Sequence, residues 1–305
     1  MNGLMVVPRP ALFLEPARLA AHLDLDLVLA VETFQHTGSF KFRPAYHVAA
    51  NVPNPHVIAA SSGNFGQAIA SACRIFGKRC TVVMPDTSAQ VKVDAVREYG
   101  GAVDLIDLRV KSRAARIREL ADQHPDAYIA SAYDDWLVIQ GNATLGRELA
   151  GADPPFDAVV VPVGGGGLSA GVITGLEEAG SRTRVFGAEP LNGNDAAASL
   201  RAGRLIANER EPDTIADGAR TISVGQRNWP VLQRGLSTIF EIPEDAIVQA
   251  VQLLFSFANL KAEPTGALSL AALLAAPPAL QGKRVCCVVT GGNVDPSVYR
   301  ALLGS

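Results

Sequence analysis

The chain has 305 residues, 48% of them hydrophobic and 19% charged, with a formal net charge of −3. That much apolar material can bury a large core, in one big domain or two unequal lobes. The mild acidity leaves no basic field to grip nucleic acid or an anionic membrane, which favours a small-molecule role.

The opening Met1–Leu14 is apolar, but Pro8, Arg9 and Pro10 interrupt it, and it lacks the charged start and long apolar core of a secretory signal. No stretch has the length and hydrophobicity of a membrane span, so a cytoplasmic protein is expected. Cys73, Cys80, Cys286 and Cys287 form no CxxC, and the five histidines show no metal spacing. All four cysteines read as buried thiols.

In chain order, short apolar runs alternate with stretches of helical period. A strand is predicted at Leu27–Val31. Strand Val57–Ala60 leads to helix Phe65–Phe76, strand Thr81–Met84 to helix Val91–Tyr99, and strand Val103–Ile106 to helix Ser112–Gln123. Strand Tyr128–Ala130 follows. Ala158–Val163 precedes helix Leu168–Glu178, and Arg184–Ala188 is the next strand. Thr238–Ile242 then leads to helices Glu244–Leu260 and Gly266–Ala275, and Val285–Val289 closes the series. Several of these strands are unbroken Val/Ile/Ala/Cys runs, the pattern of strands covered on both faces in a parallel sheet. The expected fold is α/β, with open, twisted, mostly parallel sheets and helices on both faces. The polar stretch His124–Trp136 is the expected passage between lobes. In such sheets ligands sit at the carboxyl ends of strands, so the loops there should carry the chemistry.

Val159–Val163 runs into Gly164-Gly165-Gly166-Gly167, and Leu168 opens a helix. Four glycines let successive backbone N–H groups converge on an anion, and the helix N-terminus adds partial positive charge. A phosphate is the natural guest. Gly165-x-Gly167-x-x-Ala170 also satisfies a dinucleotide fingerprint, with Glu189 where a ribose-binding acid belongs. The loop alone does not separate the two.

The discriminating segment is Thr37-Gly38-Ser39-Phe40-Lys41-Phe42-Arg43. Lys41 follows a small polar loop between two phenylalanines, where burial would lower its pKa and leave a nucleophilic amine. This segment resembles the cofactor-lysine motif of the fold-type II pyridoxal-phosphate enzymes, the group of serine/threonine dehydratases and serine racemase. Ser61-Ser62-Gly63-Asn64-Phe65-Gly66-Gln67 resembles that family's asparagine loop, and Gly164–Leu168 its phosphate cradle. Ala216-Asp217-Gly218, Glu263-Pro264-Thr265-Gly266-Ala267 and Thr290-Gly291-Gly292-Asn293-Val294-Asp295 resemble later blocks in the same order. The likeness spans the whole chain and disfavours the dinucleotide reading.

The resemblance implies roles. Lys41 would carry pyridoxal 5'-phosphate as a Schiff base and shuttle the Cα proton. Phe40 would pack near the cofactor ring, Asn64 would bond its hydroxyl, and Gly164, Gly165, Gly166, Gly167 and Leu168 would hold its phosphate. Gly218 and Glu263 would border it, and Thr290 would face the pyridine nitrogen. A hydroxyl cannot protonate that nitrogen as a carboxylate would, and the weaker electron sink suits elimination. Ser61, Ser62 and Asn64 would receive the substrate carboxylate, and Ser62 matches the racemase's second acid–base group. Glu189, Gly193 and Asp195 resemble a hard-cation site for Mg²⁺ or Ca²⁺, a surface acidic loop being the other reading. Arg43 reads as a structural ion-pair partner rather than a carboxylate clamp.

The implied activity is dehydration and deamination of a small hydroxy amino acid such as L-serine or L-threonine. A racemase on the same scaffold is the alternative, and a catalytically silent binding protein a remote one. The implied lobes are 1–56 with 135–305, carrying the cofactor, and 57–134; the implied assembly is a homodimer. Phe65, Pro44 and Gly141-Asn142-Ala143-Thr144 depart from the family pattern at positions expected near the substrate.

Overall fold

The computed structural model describes residues 6–275 and 277–304. Among them run ten strands: β1 (Leu12–Leu14), β2 (Asp26–Val31), β3 (His56–Ala60), β4 (Arg79–Pro85), β5 (Ala102–Ile106), β6 (Ala127–Ala130), β7 (Ala158–Pro162), β8 (Arg184–Pro190), β9 (Leu236–Ile242) and β10 (Arg284–Val289). Helices α1 (Ala17–Leu23), α2 (Phe42–Asn51), α3 (Asn64–Ile75), α4 (Gln90–Glu98), α5 (Arg113–Gln123) and α6 (Trp136–Ala150) fall in the first half. The second half holds α7 (Gly167–Glu178), α8 (Asp195–Ala202), α9 (Trp229–Gly235), α10 (Glu244–Ala258), α11 (Pro264–Leu274) and α12 (Pro296–Leu303).

The strands form two sheets. One has the order β1-β2-β10-β7-β8-β9, parallel except for the antiparallel edge strand β1; the other, β5-β4-β3-β6, is wholly parallel. All nine predicted strands are present, and the α/β architecture is as expected. Strand β1 lies in the apolar opening segment, where three residues are too few to show a period.

The large sheet is buried on both faces, which explains its unbroken apolar strands. Leu27, Leu29, Val160, Val285 and Cys287 enter the layer under α10 and α11, while Val28, Ala30, Val159, Cys286 and Val288 enter the layer under α6 and α7. Adjacent Cys286 and Cys287 therefore point to opposite faces. All four cysteines are buried and free, and burial pushes the Cys286 and Cys287 thiols up. No helix among the described residues is long and apolar enough to cross a membrane.

Helices α6 and α7 approach closely because they meet through glycines. A Cβ on Gly175 would fall on the Ala143 carbonyl oxygen, and one on Gly146 on that of Val172. This glycine-rich contact blurs the apolar period of α6, so the sequence did not mark it as a helix. Helix α2 sends Ala45, Val48 and Ala49 into the core beneath the four-stranded sheet, beside Val57 and Ile69.

Arg43, at the start of α2, is 1% exposed and ties the lysine segment to the large sheet. It pairs with Glu32, wholly buried after β2, at 2.8 Å, and with Glu148 of α6 at 2.7 Å; it also donates to the Arg9 carbonyl and the Thr144 hydroxyl. The structural ion-pair reading of Arg43 is the one the structure bears out. Replacing Arg43 by Met would strand the buried Glu32 carboxylate, so Arg43→Met should cost about 3–5 kcal/mol of stability in urea unfolding followed by circular dichroism; a loss under about 1 kcal/mol would show that the pair is dispensable.

Candidate active site

Parallel pairing of β2 with β10, in register from Asp26–Arg284 to Val31–Val289, sends two loops off the same end of the sheet. Hydrogen bonds continue the pairing beyond the strands. Glu32 N–H donates to the Val289 carbonyl, Phe40 N–H to that of Thr290, and Gly292 N–H to that of Gly38 (2.9, 2.9 and 3.0 Å). Gly38 turns the lysine loop at φ 72°, and a side chain there would collide with Asn293. Glu263 N–H, just before α11, donates to the Gly291 carbonyl at 3.0 Å and adds a third loop.

Lys41 is half-buried at the end of the first loop. Its Nζ donates to the Ala132 carbonyl at 2.8 Å and lies 5.0 and 5.8 Å from the ring centroids of Phe40 and Phe65. Desolvation outweighs the opposing negative charge of Glu263 and brings the amine down to about 8. No carboxylate pairs with it among the described residues. Thr290 is buried, and its Oγ1 has no hydrogen-bond partner among the described residues. The buried hydroxyls of Thr33, Thr37 and Ser39 in the lysine loop are unpaired in the same way, so this corner of the fold leaves several hydrogen bonds unmade.

Ser61–Gly63 leaves β3 and turns into α3, opened by Asn64. Ser61 Oγ accepts from Gly63 N–H at 3.3 Å, and the Ser62 hydroxyl has no partner among the described residues. Asn64 Nδ2 donates to Glu263 Oε1 at 2.7 Å, and its Oδ1 accepts from Asn293 Nδ2 at 2.8 Å. Burial, helped by the charge of Asp217, pushes the Glu263 carboxyl up to about 8, against the bond from Asn64.

The glycine loop leaves β7. Gly166 has φ 85°, and among the described residues the N–H groups of Gly164–Gly167 have no acceptor, while Leu168 buries its side chain in the core. These donors form an open nest at the start of α7. Gly218 N–H donates to Thr265 Oγ1 at 2.9 Å, and its carbonyl lies 3.1 Å from where a Cβ on Gly164 would stand.

Two expectations change. Pro44 and Gly141–Thr144 are not a substrate wall. Pro44 packs against Gly141 where α2 meets α6, Thr144 Oγ1 bonds the Gly141 carbonyl, and Asn142 Nδ2 donates to the Gly167 carbonyl from behind the loop. Their departures adjust helix packing. Phe65 does sit beside the Lys41 amine. Nor are Glu189 and Asp195 a surface acidic loop, since they are 1% and 2% exposed. Glu189 accepts from Ala196 and Ala197 N–H at 3.2 and 2.6 Å, and Asp195 from Val224 N–H and Asn208 Nδ2 at 2.9 Å each. Gly193 lies in the turn between them, and no cluster of three or more metal-ligating side chains occurs among the described residues.

Ala132, Tyr133, Asn228 and Asn293 also build the site, though sequence reasoning did not single them out as site residues. Ala132 acts through its carbonyl, which leaves no side-chain pattern to read, and Tyr133 packs its ring on Gly165, a contact between residues distant in the chain.

A family profile described as pyridoxal-phosphate dependent enzyme matches residues 7–291. The chain is 35% identical over 289 residues to an L-threo-3-hydroxyaspartate ammonia-lyase of Pseudomonas sp, covering 93% of this chain and 90% of that one. It is 34% identical over 281 residues to serine racemase of Bos taurus, covering 88% and 83%. The solved structure of the T.th. threonine deaminase superposes with a TM-score of 0.86 at 38% identity, covering 94% of this chain and 92% of that one. The chain therefore belongs to the fold-type II pyridoxal-phosphate-dependent enzymes, within their ammonia-lyase and racemase branch.

Proposed function

We propose that the protein eliminates water from a small hydroxy amino acid, L-serine, L-threonine or L-threo-3-hydroxyaspartate, to give a 2-oxo acid and ammonia. The observation that carries this is the desolvated Lys41 amine, held by the Ala132 carbonyl and paired with no carboxylate among the described residues, in a loop whose Phe40 N–H bonds the Thr290 carbonyl. These residues fit pyridoxal phosphate. Lys41 would hold its aldehyde carbon, Gly164–Gly167 and the Leu168 N–H its phosphate, and Thr290 Oγ1 its ring nitrogen. Phe40 would lie against the ring, Asn64 would bond its hydroxyl, and Gly218 and Glu263 would border it.

When bound, the cofactor supplies an electron sink for negative charge at the substrate Cα. The chain does the rest. N–H groups at the start of α3, with Ser61, Ser62 and Asn64 around them, hold the substrate carboxylate. The Lys41 amine, neutral above about pH 8, takes the Cα proton. Thr290 would offer the cofactor's ring nitrogen a hydroxyl, which does not give up a proton as a carboxylic acid would; this favours expulsion of the β-hydroxyl, which would leave as water with the proton that Lys41 has taken. The released enamine hydrolyses in water to the 2-oxo acid and ammonia.

Glu189, Asp195 and the Gly193 carbonyl would hold Mg²⁺ or Ca²⁺, since the two acids are buried with no cationic side chain paired to them among the described residues. A division into a cofactor lobe (1–56 and 135–305) and a smaller lobe (57–134) would let the α3 N-terminus close on substrate. A homodimer is the assembly proposed.

The second reading is racemisation, in which Ser62, whose hydroxyl has no partner among the described residues, would return a proton to Cα from the other side.

Incubation with each of the three substrates should yield 2-oxo acid, and Lys41→Ala should lower the rate by at least about 10³-fold; no product from any of them would remove the assignment. Ser62→Ala should abolish any serine racemisation seen by chiral chromatography while 2-oxo acid still forms. If racemisation survives, Ser62 is not the second acid–base group. The protonated amine is unreactive and the neutral one nucleophilic, so labelling of Lys41 in the cofactor-free protein, followed by peptide mass spectrometry, should rise with a midpoint near pH 8. A midpoint at the ordinary lysine value of 10.5 would contradict the desolvated amine.

A further inference from the structure

A glycine loop has no side chains with which to hold its shape, so whatever aims its N–H groups must come from outside it. We propose that Asn228 is the positioning residue that aims the glycine loop at the cofactor phosphate; this rests on the reading of that loop as the phosphate site.

Asn228 stands immediately before α9 and is wholly buried. Its Nδ2 donates to the Gly165 carbonyl at 2.6 Å and to the Tyr133 carbonyl at 3.1 Å. Gly225 N–H donates to the same Gly165 carbonyl at 3.0 Å. In a trans peptide the C=O of Gly165 and the N–H of Gly166 point in opposite directions. Two donors pulling the carbonyl outward therefore push the Gly166 N–H inward, where the other free donors of the loop converge.

The contacts around Asn228 support the same role. Its Cβ lies 3.3 Å from where a side chain on Gly166 would begin, so it packs directly on the residue with φ 85°. The Tyr133 carbonyl that shares the amide lies 2.7 Å from where a Cβ on Gly167 would stand. One carboxamide thus joins the turn after β6 to the glycine loop. Its Oδ1 has no partner among the described residues. Turning the amide over would set that oxygen against two carbonyls, so its orientation is fixed by the two bonds it donates. An unpaired buried acceptor is unfavourable and is kept where the donor side has work to do.

The test compares binding of pyridoxal 5'-phosphate with that of pyridoxal, which lacks the phosphate, by calorimetry on the full-length cofactor-free protein. In the unaltered protein the phosphate form should bind more tightly. Asn228→Leu should weaken pyridoxal phosphate by about tenfold, as the loss of one net hydrogen bond to a charged guest does, and leave pyridoxal unchanged. The ³¹P resonance of the bound cofactor should shift in parallel. If Asn228→Leu does not fold, Asn228→Ala, which removes the donor without adding charge, carries the same expectation. Equal weakening of both compounds would show a merely structural asparagine, and no weakening of either would show an idle one; both overturn the proposal. Equal affinities in the unaltered protein would remove the phosphate reading of the loop itself, and the proposal with it.

Discussion

The parallel register of β2 against β10 is the constraint on which the site depends. The two strands are separated by most of the chain, yet their pairing runs past their ends into irregular backbone, where Phe40 N–H meets the Thr290 carbonyl. That bond sets the residue before Lys41 beside the residue with the orphaned hydroxyl. A one-residue slip would carry every side chain of a strand from one buried layer into the other, so the register is strongly held. The position of the amine relative to Thr290 is thus decided by the core of the large sheet.

Around that point, most donors are backbone groups. The glycine loop and the start of α3 offer backbone N–H groups, the Ala132 carbonyl accepts from Lys41, and Asn64, Asn293 and Asn228 add neutral amides. Charge is scarce. A low-dielectric cleft with few fixed charges leaves Lys41 and Glu263 as the groups whose protonation changes the site, and burial is the first cause of the shift in each.

The parts legible in the sequence were those with a short-range signature. Unbroken apolar runs announce buried parallel strands, four consecutive glycines announce a row of free backbone donors, and a lysine between aromatics announces a desolvated amine. What escaped has a long-range cause. Asn228 lies 63 residues from the Gly165 carbonyl it holds, in a stretch with no period. Helix α6 was hidden because its contact with α7 is made of glycines. Gly141–Thr144 looked like substrate residues because they depart from a motif, but their environment is helix packing. The burial of Glu189 and Asp195 follows from the ordinary end of β8 and start of α8, and two acids around a glycine do not reveal it.

The neighbouring thiols of Cys286 and Cys287 face opposite layers of one strand at the centre of the large sheet. They cannot both be reached by opening one side. A mild alkylating reagent that modified a single sulfur would identify which helical layer had lifted, and modification of both would require the strand itself to come free. The pair is a built-in reporter that separates partial loosening of the protein from its complete unfolding.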